Sequence, residues 1–152
     1  MTLAADFGRQ IEATLASLHT ISEDGSRERR YAGAWSRREI LGHLLDSAVN
    51  NHNRFVRAAL DGSYSGPGYA QKEWVALHGY HERPWGELVE LWAAANLAIA
   101  QLVARIPAGK LQSLCVVGSD APVTLEFLIT DYLSHIRHHV AQLELASAAT
   151  RR

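Results

Sequence analysis

Trp35-Ser36-Arg37-Arg38-Glu39-Ile40 opens the stretch that decides the fold. Ser36 can cap the Glu39 amide, Glu39 can reach back, and Trp35 can staple onto Ile40, a combination that marks a helix start. No Gly or Pro interrupts the run from His43 to Leu60, and Asp61-Gly62 supplies the stop. At ~100° per residue, Leu41, Leu44, Leu45, Ala48, Phe55, Val56 and Ala59 fall on one side. The spacing predicts a long amphipathic helix over 37–60 that must bury one stripe.

The same 3.6-residue period extends both ways. Upstream, Phe7, Ile11, Leu15 and Leu18 form a stripe that predicts a helix over 4–19, followed by a polar loop from Ser22 to Arg30. Downstream, Gly62-Ser63-Tyr64-Ser65-Gly66-Pro67-Gly68 reads as irregular, and a short helix follows through Gln71 to His78. Pro84 can open a helix over 84–105 carrying Leu88, Leu91, Trp92, Ala95, Ile99, Leu102 and Val103, which fails at Pro107. Thr124 can cap a last helix over 125–147, with Leu125, Leu128, Ile129, Tyr132, Ile136, Val140 and Leu143 on one side. No alternating run points to a strand, so the expected fold is all-α: a four-helix bundle, one domain over 1–152. The connection from Asp61 to Arg83 is long enough to cross a bundle, which permits parallel neighbours as well as up-and-down order.

Composition agrees with a single soluble globular domain: 152 residues, 47% hydrophobic, with 15 Lys+Arg against 16 Asp+Glu. The net charge of −1 argues against a nucleic-acid partner, which needs a basic face. The single cysteine, Cys115, excludes an intramolecular disulfide and a CxxC metal knuckle, and its apolar neighbours read it as a small buried hydrophobe. No window approaches ~20 uninterrupted apolar residues, and Met1 to Gln10 lacks the pattern of a signal peptide. The expectation is a cytoplasmic protein without a membrane partner.

The unusual feature is eight histidines, three of them in His135-Ile136-Arg137-His138-His139. On a helix His135 and His139 flank the buried face and can share one metal ion, while His138 lies roughly 60° away from the pair. A core or boundary role is the plainer reading of such a pair taken alone. On the second helix His43, Ser47, Asn50 and Arg54 form a polar line with Asp46 beside it. A solvated face is its plain reading. His, Asp and Asn are indifferent helix formers, however, and an idle face more often carries Glu, Lys and Gln, which favours a site. His43 could complete a three-histidine centre with His135 and His139, leaving a fourth position open to acidify water or a thiol, or to polarise a carbonyl. Asp46 and Asp131, each one turn from a histidine, could orient a ligand or take a proton, though ordinary surface carboxylates read the same way. His52 falls in the apolar stripe and reads as a core histidine; Gln142 reads as polar surface, and Arg27, Arg29, Arg30, Arg37 and Arg38 as a solvated basic patch. Neither Glu-x-x-His, HExxH nor a Gly-rich phosphate loop occurs.

Three segments together resemble the DinB/YfiT-like metal-binding four-helix bundles. They are Trp35 to Ser47, Pro122-Val123-Thr124-Leu125-Glu126-Phe127-Leu128, and His135 to His139, and the resemblance covers nearly the whole chain. It implies His43, His135 and His139 as ligands to a divalent ion, zinc or nickel, in a bundle that commonly dimerises. It also implies that the polar line of His43 faces an open pocket. Characterised relatives include transferases and isomerases that use low-molecular-weight thiols such as bacillithiol or mycothiol. Asn50-Asn51-His52-Asn53-Arg54-Phe55 is similar to a branch without an established reaction. The leading expectation is a metal-dependent enzyme that activates a thiol for S-transfer, with Asp46, Asn50 or Arg54 binding the substrate. A metal-dependent hydrolase using Asp46 or Asp131 as base and a non-catalytic metal or ligand module are the alternatives.

Overall fold

The structure, a computed structural model, describes residues 2–150, with side chains through Glu144. In chain order the helices are α1 (Leu3–His19), α2 (Glu23–Ser26), α3 (Arg37–Asp61), α4 (Gln71–His78), α5 (Trp85–Arg105) and α6 (Leu125–Thr150). The long ones, α1, α3, α5 and α6, form a four-helix bundle around Phe7, Leu44, Phe55, Trp92, Ile99, Ile129 and Ile136. Side chains set the ends: the Glu39 amide donates to Ser36 Oγ at 3.3 Å and the Phe127 amide to Thr124 Oγ1 at 3.1 Å. Gly62, at φ 80°, closes α3 in the left-handed conformation that glycine tolerates.

Both α1 and α3 pack against α5 and α6, so the consecutive long helices α1 and α3 lie diagonally across the bundle. Trp85 Nε1 donates to the Leu18 carbonyl, joining the start of α5 to the end of α1, and these two are antiparallel. Arg37 Nε donates to the Leu143 carbonyl, which makes α3 and α6 antiparallel. Arg137 with Gln10 and Glu144 with Ser17 run in step, so α1 and α6 are parallel. It follows that α3 and α5 are parallel too, in an up-down-down-up order made possible by the long crossing after Gly62.

That crossing corrects the reading of Gly62 to Gly68 as irregular. Ser63–Gly66 (β1) pairs in parallel with Leu114–Val117 (β2), which pairs antiparallel with Val123–Thr124 (β3). Strands of two to four residues are too short to show alternation, and the partner of β1 lies beyond α4 and α5. The reading of Ser22 to Arg30 as a loop is likewise corrected by α2.

The basic patch is also corrected, because Arg37 and Arg38 are buried. Arg38 Nε donates to Ser26 Oγ at 2.8 Å, its Nη2 to Glu23 Oε2 at 2.8 Å and its Nη1 to the His81 carbonyl at 3.2 Å. Glu23 in turn accepts the Trp85 and Gly86 amides at 2.8 and 3.0 Å, serving as the cap that Pro84 cannot provide. Those two backbone bonds, followed by Arg38, hold the Glu23 carboxyl below its usual range.

By length and composition α5 could cross a membrane. In the bundle its Leu88, Trp92, Asn96, Ile99 and Val103 are buried, while Leu91, expected in the stripe, is exposed. His52 is corrected from a core histidine to a half-buried one. Val49, one turn before it, is 60% exposed, so this arc of α3 lies at the bundle edge.

Gly42 permits a close approach, since a Cβ there would lie 2.0 Å from Tyr80 Cδ2. Gly42→Ala is expected to lower stability by about 1–3 kcal/mol through overpacking, against a helix-propensity gain of about 1 kcal/mol. Thermal denaturation checks this, and an unchanged or higher Tm would show that the ring is free to move.

Candidate metal centre

Residue 43 lies in the second turn of α3, and residues 135 and 139 lie a turn apart on the antiparallel α6. His135 Nε2 is 3.1 Å from both His43 Nε2 and His139 Nε2. One ligand atom from each of the three falls within 4.8 Å of the others. His43 is 1% exposed, with the Trp35 ring 5.1 Å away between centroids; His135 and His139 are half-buried. His138 is exposed and outside the cluster.

The far ring nitrogens select the tautomers. His139 Nδ1–H donates to Gln142 Oε1 at 2.7 Å, and His135 Nδ1–H to Ser47 Oγ at 3.4 Å. Both Nε2 atoms are then left as lone pairs facing each other at 3.1 Å, an arrangement that repels unless an electrophile lies between. His43 Nδ1 is buried without a hydrogen-bond partner among the described residues. Burial, followed by the positive charge that neighbouring histidines would carry, lowers the pKa of His43 to about 3 and of His135 to about 4. Burial also lowers that of His139, against the pull of Gln142. Three neutral imidazoles aimed at one point match the donor set of a divalent transition metal such as zinc.

The polar line of α3 is not a solvated face. His43, Asp46, Ser47 and Arg54 are buried and Asn50 is half-buried, because α6 and the crossing after Gly62 cover them. Asp46 Oδ1 accepts the Tyr80 hydroxyl at 2.6 Å and lies 3.4 Å from His78 Nδ1, while its buried Oδ2 has no partner among the described residues. Burial pushes the Asp46 carboxyl up, and Tyr80 and His78 partly oppose it. Asn50 Nδ2 turns back to the Asp46 carbonyl at 2.8 Å. Asp131 is exposed on the wall of a cleft of about 320 Å³ whose lining includes His135, Ser47, Arg54 and Tyr69.

Gln142 is corrected from plain surface to a histidine-orienting group; its place three residues after His139 was the available signal. Tyr69 and Tyr80, on the crossing, left none.

The sequence model of the DinB superfamily matches residues 6–143. The chain belongs to the DinB superfamily. Among sequence relatives, a predicted metal-dependent hydrolase of Oceanobacillus iheyensis is 21% identical over 130 residues, 86% of this chain and 75% of that protein. A second, from Halalkalibacterium halodurans, is 25% identical over 118 residues, 78% of this chain and 68% of its own. YfiT of Bacillus subtilis, inferred to be a metal-dependent hydrolase with an unusual four-helix-bundle topology, superposes with a TM-score of 0.84 at 19% identity. The match covers 95% of this chain and 86% of YfiT. A mycothiol-dependent maleylpyruvate isomerase superposes with a TM-score of 0.78 at 12% identity, over 94% of this chain and 61% of the isomerase. These superpositions establish a shared bundle fold.

Proposed function

We propose that this protein is a metal-dependent enzyme whose divalent ion, zinc or nickel, is held by His43, His135 and His139, and that it activates a low-molecular-weight thiol for S-transfer to a small molecule. The observation that carries the reading is the convergence of three imidazole Nε2 atoms, with Ser47 and Gln142 fixing two of the rings. A bound divalent ion would supply Lewis acidity, lowering the pKa of a thiol or of water. The lowered histidine pKa values keep the donors unprotonated at neutral pH. Arg54 and the Asn50 carbonyl oxygen bind the substrate. Asp131 on the cleft wall and Asp46, with its raised pKa and unpartnered Oδ2, move protons. Cys115 takes no part: it is buried in β2 and burial raises its thiol pKa. A homodimer, as the family resemblance implies, located in the cytoplasm, completes the proposal.

The names of the two sequence relatives favour a second reading, a metal-dependent hydrolase, with Asp46 or Asp131 as base. The test is metal analysis of untagged protein followed by a panel of thiols and electrophiles. A chelator should remove turnover, zinc or nickel should restore it, and Cys115→Ser should retain it. An S-conjugate supports transfer, while cleavage without added thiol supports the hydrolase. Full turnover after chelation overturns both.

Gln142→Ala is expected to weaken metal binding by ~10- to 100-fold through loss of ring orientation. Competition against a chromophoric chelator measures this, and unchanged affinity would remove Gln142 from the site.

A further inference from the structure

We infer that the cleft beside the three histidines carries a carboxylate-binding subsite centred on the Arg54 guanidinium, so that the small molecule handled there is a carboxylic acid. This rests on the proposed function for the identity of the site, though not for the subsite itself. Arg54 is 7% exposed and lies on the wall of the 320 Å³ cleft together with Tyr69, Asn51 and His135. A guanidinium has five N–H donors, and the one hydrogen bond that Arg54 makes among the described residues is from Nη2 to the Pro67 carbonyl at 3.4 Å. No carboxylate among the described residues lies within 4.0 Å of it. The other buried arginines differ, since Arg37 pairs with Glu28 at 3.0 Å and Arg38 with Glu23 at 2.8 Å.

A buried cation is normally paired. One left unpaired on the wall of a cleft is matched by an anion arriving through that cleft, and the planar fork fits a carboxylate in two-pronged fashion. Tyr69, which feels the charges of Asp46 and Arg54 and hydrogen-bonds with Ser47, extends the polar wall toward His135. Asp120 and Asp131 also line the cleft, but both are exposed, where solvent and salt screen them. The buried Arg54 is screened far less. A ligand can therefore place its carboxylate on Arg54 while its other end faces the histidines.

The test compares propionate with propionamide, equal in length and different in charge, on metal-free protein, followed through the Arg54 Nε–H resonance. Wild type should bind propionate at least ~10-fold more tightly, with the Arg54 signal shifting, the range expected for a charge-assisted bidentate contact. Arg54→Gln should abolish the preference, and circular dichroism checks that it folds. Equal affinities in wild type, or a preference that survives in folded Arg54→Gln, overturn the subsite. The wild-type measurement decides even if the variant unfolds. Zinc-loaded protein is then given 3-mercaptopropionate and 3-mercaptopropionamide. If the thiol adds no affinity while the propionate preference stands, the thiol reading fails and the subsite survives.

Discussion

Alanine at position 43, 135 or 139 is expected to abolish stoichiometric binding of a divalent ion, with affinity falling by more than the ~100-fold that loss of an orienting partner can cost. His138→Ala should bind as wild type, because that ring is exposed and its Nε2 only accepts from Gln142 at 3.4 Å. Equilibrium dialysis with metal analysis on the four variants decides the matter. Damage from His138→Ala equal to the others would overturn the assignment. The pH dependence has a defined sign. The free imidazoles of an unfolded chain protonate near ~6.5, whereas His43 and His135 in the fold do so at about 3 and about 4. Between those limits the unfolded chain binds more protons, so the metal-free fold loses stability as pH falls from ~6.5. Proton competition for the folded site sets in only below the ordinary histidine range. Release of the ion at ~6.5 from protein still folded would contradict these shifts.

The second large effect is structural. Arg38→Ala should destabilise the protein by about 2–4 kcal/mol, through loss of several hydrogen bonds from a buried guanidinium whose carboxylate partner is itself half-exposed. It strands the His81 carbonyl, removes the donor to Ser26 Oγ, and frees Glu23, which then caps α5 without its counter-charge. Urea denaturation measures the loss, and a change under ~1 kcal/mol would show the network to be incidental. Arg27→Ala is the control, since its pairing with Asp24 is exposed.

The long helices were legible because their caps and breakers are local: Ser36, Gly62, Pro84 and Thr124 act on residues within one turn. Whatever depended on distant partners was not. Arg38 looks like any surface arginine until α2 folds over it. Ser63–Gly66 looks like a loop until β2 arrives from beyond α5. Helical arithmetic could put His135 and His139 on one side of α6, but their meeting with His43 depends on α3 and α6 being antiparallel neighbours, which no local pattern encodes. Gln142 was within reach of the same i,i+3 reasoning used for the histidines. Tyr80 was not, because only the missing Cβ of Gly42 lets its ring lie on α3.

The diagonal placement of α1 and α3 has a consequence for biosynthesis. A chain emerging from the ribosome can form both helices early, yet neither can cover the apolar stripe of the other. The face carrying Phe7, Ile11 and Leu18 waits for α5 and α6, and the start of α3 meets α6 only when the end of that helix has emerged. Until α5 emerges the nascent chain displays two uncovered hydrophobic faces, the condition under which chaperone capture competes with folding. The seam between α3 and α6 that brings His43 to His135 therefore closes after the others.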